Sequence, residues 1–328
     1  MHRTLLLSVI LFLSVNVFAK DVHISGRILN ATSSKVNIRV PVPIVLDATT
    51  YDKQLIYDSF SVSIPMDKPG ECFISLSGNP VFVYVHPGDK VHIEADNKDF
   101  YKTLKIKGTH ADDSRYLNDK HYMDINAMTG ANKLNKDDPN AMKKYMEEQE
   151  KSKVDFEASA PSKYHMSEAM KKYRHIDSVY YPLVVLLGNW DMQRAGFRKR
   201  FDLDIDEQKI EKALVNAKIE DATSIVNPTY IIFLKAYQDY KYYHYIDKKY
   251  TADQQKNIPG LMLDSAYTFS AQLYHDKILY VRRVHFVADT YHAQVAQAED
   301  IDKLYSRLVV EYPSGEYNSI LVKTIKMQ

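Results

Sequence analysis

Cys72 is the only cysteine of this 328-residue chain. No internal disulfide, Cys-x-x-Cys redox pair or four-sulfur metal cage can therefore form within it. Cys72 alternates with Phe73 on a pattern shared with Ile74 and Leu76, so a buried core thiol is expected. If residues 278–295 are helical, His285, Asp289 and His292 fall at i, i+4 and i+7 on one face. Two neutral imidazoles and a carboxylate so placed could ligate zinc or a similar divalent ion. That face is the one candidate metal site. No fourth ligand is evident, a solvated polar face explains the same spacing, and Ile278 to Val281 also fits a strand. His86 and His92 flank the turn Pro87-Gly88-Asp89, where a hairpin could bring them close.

The densest aromatic cluster is Tyr237, Tyr240, Tyr242, Tyr243, His244 and Tyr245, part of a total of 25 tyrosines. Such rings serve as amphipathic packing or as a ligand platform. Glu147, Glu148 and Glu150 lie in a charge-rich stretch and read as a solvated face. No Gly-x-Ser-x-Gly elbow, His-Glu-x-x-His helix, phosphate-binding glycine loop or dinucleotide fingerprint occurs. No catalytic residue, cofactor or cofactor-binding residue is assigned, and a non-catalytic protein is expected rather than an enzyme.

The elements that would position these residues divide the chain. Val22, Ile24, Gly26 and Ile28 alternate with His23, Ser25 and Arg27, the period of a half-buried strand. Val36–Val40, Phe60–Ile64, Val81–Val85 and Val91–Ala95 repeat it. Turn signals separate them at Asn30 to Ser34, Lys68-Pro69-Gly70, Gly78-Asn79-Pro80 and Pro87-Gly88-Asp89. After Gly108 the spacing becomes helical, with Asp112 or Asp113 placed to cap the first helix. Pro139 and Pro228 open further helices, the latter apolar almost all round through Tyr245. Ile301, Leu304, Tyr305, Leu308 and Val309 form an amphipathic helix that Pro313 stops. The expected fold is α+β: an antiparallel β-sandwich-like domain at residues 20–108, then an all-α helical domain at residues 109–328.

Residues 1–19 read as a signal peptide. Arg3 gives a basic start, Leu5 to Phe18 is largely apolar, and Val17-Phe18-Ala19 ends in small residues a signal peptidase reads. The run is shorter than the roughly 20 residues a spanning helix needs. Cleavage after Ala19 is expected, leaving no transmembrane anchor and a periplasmic or envelope-associated protein. The 43 Lys+Arg and 42 Asp+Glu nearly cancel, which gives no electrostatic case for a nucleic-acid partner.

The run Pro69-Gly70, Cys72 to Leu76, Val83-Tyr84-Val85 and Pro87-Gly88-Asp89-Lys90-Val91, closing at Ile93 and Asp96, resembles a known β-domain of unknown function. That domain precedes the thioredoxin domain of TlpA-like thiol–disulfide reductases in some Gram-negative envelopes. Phe100, Leu104, Ile106, Gly108 and Tyr116-Leu117 are similar to its last strand and the following helix. Asp58-Ser59-Phe60 stands where the family has Asp-Gly-x-Phe, and Ser114-Arg115 precede Tyr116 where the family often has Asn. The resemblance covers residues 21–118, with a looser likeness through Tyr312-Pro313-Ser314. In the family a thioredoxin domain follows; here the sequence reaches Gln328 without its Cys-x-x-Cys. The resemblance implies a fold and a compartment, while reductase activity is not expected.

Three functional readings follow. The first is a non-catalytic extracytoplasmic protein that binds an envelope protein or small ligand. The second is an accessory to a separate thioredoxin-like oxidoreductase. The third is an enzyme of unrecognised type, metal-dependent through the His285, Asp289 and His292 face.

Overall fold

The computed structural model describes residues 20–40, 49–131, 133, 139–192, 194, 206–251, 259–294 and 296–326. The leader reading of residues 1–19 lies outside them. Eight strands come first: β1 (Lys20–Leu29), β2 (Lys35–Val40), β3 (Thr49–Gln54), β4 (Ser59–Met66), β5 (Gly70–Leu76), β6 (Asn79–Val85), β7 (Lys90–Asp96) and β8 (Lys105–Gly108). They form two four-stranded sheets, ordered β4-β1-β7-β8 and β3-β2-β5-β6. The chain is α+β, as the sequence predicts, with ten α-helices among the described residues.

The alternation that marks each strand also builds the core. Along β4 every second residue is buried, and β5 buries Cys72, Ile74 and Leu76. The inward residues of both sheets join one cluster that includes Val22, Ile24, Ile38, Ile64, Val83 and Ile93. β1–β4, β2–β5, β5–β6 and β7–β8 pair antiparallel, whereas β1 and β7 run parallel with His23 opposite Lys90. Sequence alternation is blind to this choice, because strand direction depends on which distant strand becomes the neighbour.

By contacts the chain forms two compact units. The first holds residues 1–40 and 50–170, so besides the strands and the short α1 (Phe100–Thr103) before β8 it keeps two helices that follow β8, α2 (Ala111–Ala131) and α3 (Pro139–Lys163). Strands give way to helices between Gly108 and Ala111, as expected, yet the first unit runs on to Met170. Helix α2 packs against β6, β8 and α3. Gly108 (φ +122°) closes β8, and only glycine fits there because any Cβ would collide with the Lys90 carbonyl oxygen.

The second unit, residues 41–49 and 171–328, has helices as its regular elements from residue 171 on in its described part. Its elements are α4 (Glu168–Met192), α5 (Glu207–Val215), α6 (Pro228–Lys249), α7 (Pro259–Phe269), α8 (Asp276–His292), α9 (Ala298–Glu311) and α10 (Asn318–Lys326). Helix α4 buries Ile176, Tyr180, Leu183, Leu187 and Trp190, one face at helical spacing. Asn227 caps α6 by accepting from the Thr229 and Tyr230 amides, with Pro228 in its first turn. From Pro228 to Ile246 only Ile232 and Lys235 are exposed, which fits the nearly all-round apolar pattern. The tyrosines pack while their hydroxyls find carbonyls: Tyr180 donates to Lys218 O, Tyr230 to Ile219 O and Tyr274 to Leu234 O.

Candidate functional site

The candidate site lies in the first unit, on the side where β6 and β8 are the last strands of their sheets. An edge strand exposes a row of unpaired backbone groups. At β6 helix α2 supplies the missing partner. Asn118 donates through Nδ2 to Phe82 O at 2.6 Å and accepts from Phe82 N at 3.1 Å. One turn earlier, Ser114 Oγ accepts from Tyr84 N at 3.0 Å and donates to Tyr84 O at 3.3 Å. The i, i+4 spacing on the helix matches the i, i+2 spacing on the strand, so two side chains replace a neighbouring strand.

The β8 edge is treated differently. His23 N donates to Asp89 O at 2.8 Å, which places His23, Ser25 and Arg27 on the β7 side of the parallel ladder. Val91 and Ile93 return those bonds, so His92 and Glu94 direct their backbone groups at β8, opposite Lys107 and Lys105. Ile106 and Gly108 therefore point theirs outward. The Ile106 side chain stays in the core at 5% exposure, while its N–H and C=O are unpaired among the described residues.

Those groups open into a groove of about 470 Å³ between β8 and the start of α2. Leu104 to Gly108 form one wall, Ala111 and Arg115 the other. A smaller hollow of about 40 Å³ continues past Arg115 towards Tyr101 and Tyr122, whose rings stack with centroids 5.3 Å apart. The rim is basic. Lys107 pairs with Glu94 at 2.9 Å and Arg115 with Asp112 at 2.9 Å. Lys105 has no carboxylate in ion-pair reach among the described residues. The Lys107 ammonium beside Glu94 holds that carboxyl below its ordinary range.

His110, between the groove residues Gly108 and Ala111 in sequence, stacks on His86 with centroids 4.0 Å apart and an interplanar angle of 16°. His110 Nδ1 lies 3.0 Å from Asp89, and His86 Nε2 lies 3.4 Å from buried Asp113. Asp113 also accepts from the Ser167 amide at 2.9 Å and its hydroxyl at 2.5 Å. His92 goes elsewhere, to Ser25 at 3.0 Å and Glu94 at 3.4 Å. The turn between β6 and β7 thus pairs His86 with His110 and leaves His92 apart.

In the second unit, residues 276–292 are helical, as the candidate metal face requires, but its three residues meet different surroundings. His285 is buried at 4% exposure, and burial with Arg282 beside it pushes its pKa down to about 3. Asp289 lies 3.6 Å from the buried Arg282 guanidinium, which competes with any cation for that carboxylate. His292 is exposed. No group of three or more His, Cys, Asp or Glu is placed to hold a metal ion among the described residues. The tyrosine cluster is spent on packing: Tyr240 bonds Glu211 and meets Trp190 edge-on, Tyr242 bonds Met262 O, and His244 stacks on Trp190. Cys72 is fully buried, and burial pushes its thiol up to about 12. Glu147, Glu148 and Glu150 are exposed.

Ile106, Arg115, Ser114, Asn118 and His110 went unmarked as site residues in sequence reading. Ser114 and Asn118 carried a local signal, two hydrogen-bonding residues four apart facing inward on a helix. Comparison with protein-family models, curated proteins and solved structures returned no match.

Proposed function

We propose that this is a non-catalytic binding protein of the extracytoplasmic envelope, and that the groove between β8 and α2 holds its partner. One observation carries the reading: the same helix closes the β6 edge with Ser114 and Asn118 but makes no such bonds to β8, where a groove lies between the strand and the helix's first turns. An open sheet edge is a template for pairing with another chain, and here it lies beside an apolar floor of Leu104, Ile106 and Ala111. The basic start, apolar run and Val17-Phe18-Ala19 of the leader support export, as does the resemblance to the envelope β-domain. No helix among the described residues is long and apolar enough to cross a membrane.

The test is capture from an envelope extract with tagged wild type and with the Lys105→Glu/Arg115→Glu double variant. Both residues are exposed, so folding should survive. Partners retained by wild type and lost by the variant support the groove. Identical capture by both rejects it.

A further inference from the structure

We infer that the occupant of the groove is an extended polypeptide segment, alternating apolar and acidic residues, that adds to β8 as a further strand. This rests on the groove being the binding site. The geometry of β8 specifies the chemistry of its neighbour. Ile106 offers one N–H and one C=O outward, and Gly108 offers a second pair two residues on, the repeat of a strand ladder. Only another extended backbone matches donors and acceptors at that repeat. The β6 edge shows what closure within the chain looks like, and β8 lacks it.

Side-chain alternation sets the rest. Residues of an added strand that lie on the Ile106 face would meet Leu104, Ile106 and Ala111, an apolar floor. Residues on the opposite face would stand beside Lys105 and Lys107, within cross-strand reach of roughly 4.5–5.5 Å. Arg115 lines the other wall. Counting Glu94 and Asp112, which pair with Lys107 and Arg115, one cation remains in excess at Lys105. Acidic side chains fit that face. Lysines on a short edge are also a common guard against self-pairing, and here they exclude a second copy of β8, because like charges directly opposite repel. They leave an acidic strand as the complementary occupant. Strand addition of this kind, between a sheet edge and a helix, is a recurring mode of peptide recognition.

The probe is a fluorescein-labelled, acetyl-capped octapeptide of alternating valine and glutamate, titrated with the purified protein and read by fluorescence anisotropy at low salt. Two further peptides carry N-methyl groups on the valine amides or on the glutamate amides. A fourth replaces glutamate by lysine. The expected result is saturable binding of the parent peptide and at least a ten-fold loss for one methylated peptide. Methylation at valine removes an antiparallel ladder; methylation at glutamate removes a parallel one. Lys105→Glu should weaken the parent several-fold and strengthen the lysine peptide. No saturable binding, or equal binding of the parent and both methylated peptides, overturns strand addition. If extract capture still depends on Lys105 and Arg115, only strand addition fails. If capture ignores the groove as well, the binding-site reading fails with it.

Discussion

Asn118 bonds both backbone groups of Phe82, donating to its carbonyl and accepting from its amide. Asn118 is 4% exposed, and it donates as well to Ser114 O at 2.7 Å. A helix side chain thus does for β6 what a ninth strand would do. Asn118→Leu keeps the volume and strips both bonds, leaving buried ladder groups without partners. The expected loss is about 1–3 kcal/mol, read from urea denaturation. An unchanged midpoint would show that β6 does not depend on the helix for closure.

The Cys72 thiol is fully buried and its pKa is pushed up to about 12. The thiolate is the reactive species, so Ellman's reagent at pH 8 should find no thiol in the folded protein. After denaturation it should find one per chain. Rapid reaction of the native protein would mean that β5 opens.

His285 gives a pH signature. Its folded pKa is about 3 against 6.5 in the reference state, because burial and the neighbouring Arg282 disfavour the imidazolium. Below pH 6.5 the unfolded chain takes a proton that the folded chain refuses. The contribution is intact above pH 6.5 and is lost as pH falls towards 3, at about 1.4 kcal/mol per unit. Between pH 7 and pH 5 that amounts to about 2 kcal/mol. His285→Leu should flatten the dependence by this amount in urea midpoints taken at both pH values. Parallel curves for the two proteins would rule the assignment out.

Glu311, at the surface, is the shared acceptor for two buried side chains and one half-buried one. It takes Arg283 Nη1 at 2.6 Å, Tyr267 OH at 2.9 Å and Arg307 Nε at 2.9 Å. Arg283 is 6% exposed, so Glu311→Ala strands a guanidinium in the core of the helical unit. The expected cost is about 3 kcal/mol, while Glu311→Gln should recover part of it by keeping the acceptor oxygen. Equal losses for the two would point to packing instead of pairing.

Much of this was legible in the sequence. Alternation located seven-residue strands such as Gly70–Leu76 and Lys90–Asp96, whereas around Asp289 the spacing left helix and strand open and the structure is helical. These are local periodicities. The groove was not legible, because it depends on β8 being last in the order β4-β1-β7-β8. Edge position is a property of long-range pairing, and a tetrapeptide such as Lys105–Gly108 carries no periodic signal of it. His86 failed to meet His92 for a related reason: His110 reaches it from the turn after β8. The membership of α2 and α3 in the first unit rests on contacts such as Ser114 with Tyr84, thirty residues apart, which hydropathy cannot register.

The parallel seam between β1 and β7 also sets an order of events. β1 is the first described strand, yet it lies inside its sheet, flanked by β4 and β7. Hairpins such as β5–β6 can close from adjacent residues, whereas His23 must wait for Lys90. Such distant closures slow folding. Until then β1 can pair only with β4, so the strand that carries Val22, Ile24 and Ile28 keeps one edge open, and an unpaired edge of this kind is where a half-folded chain associates with its neighbours.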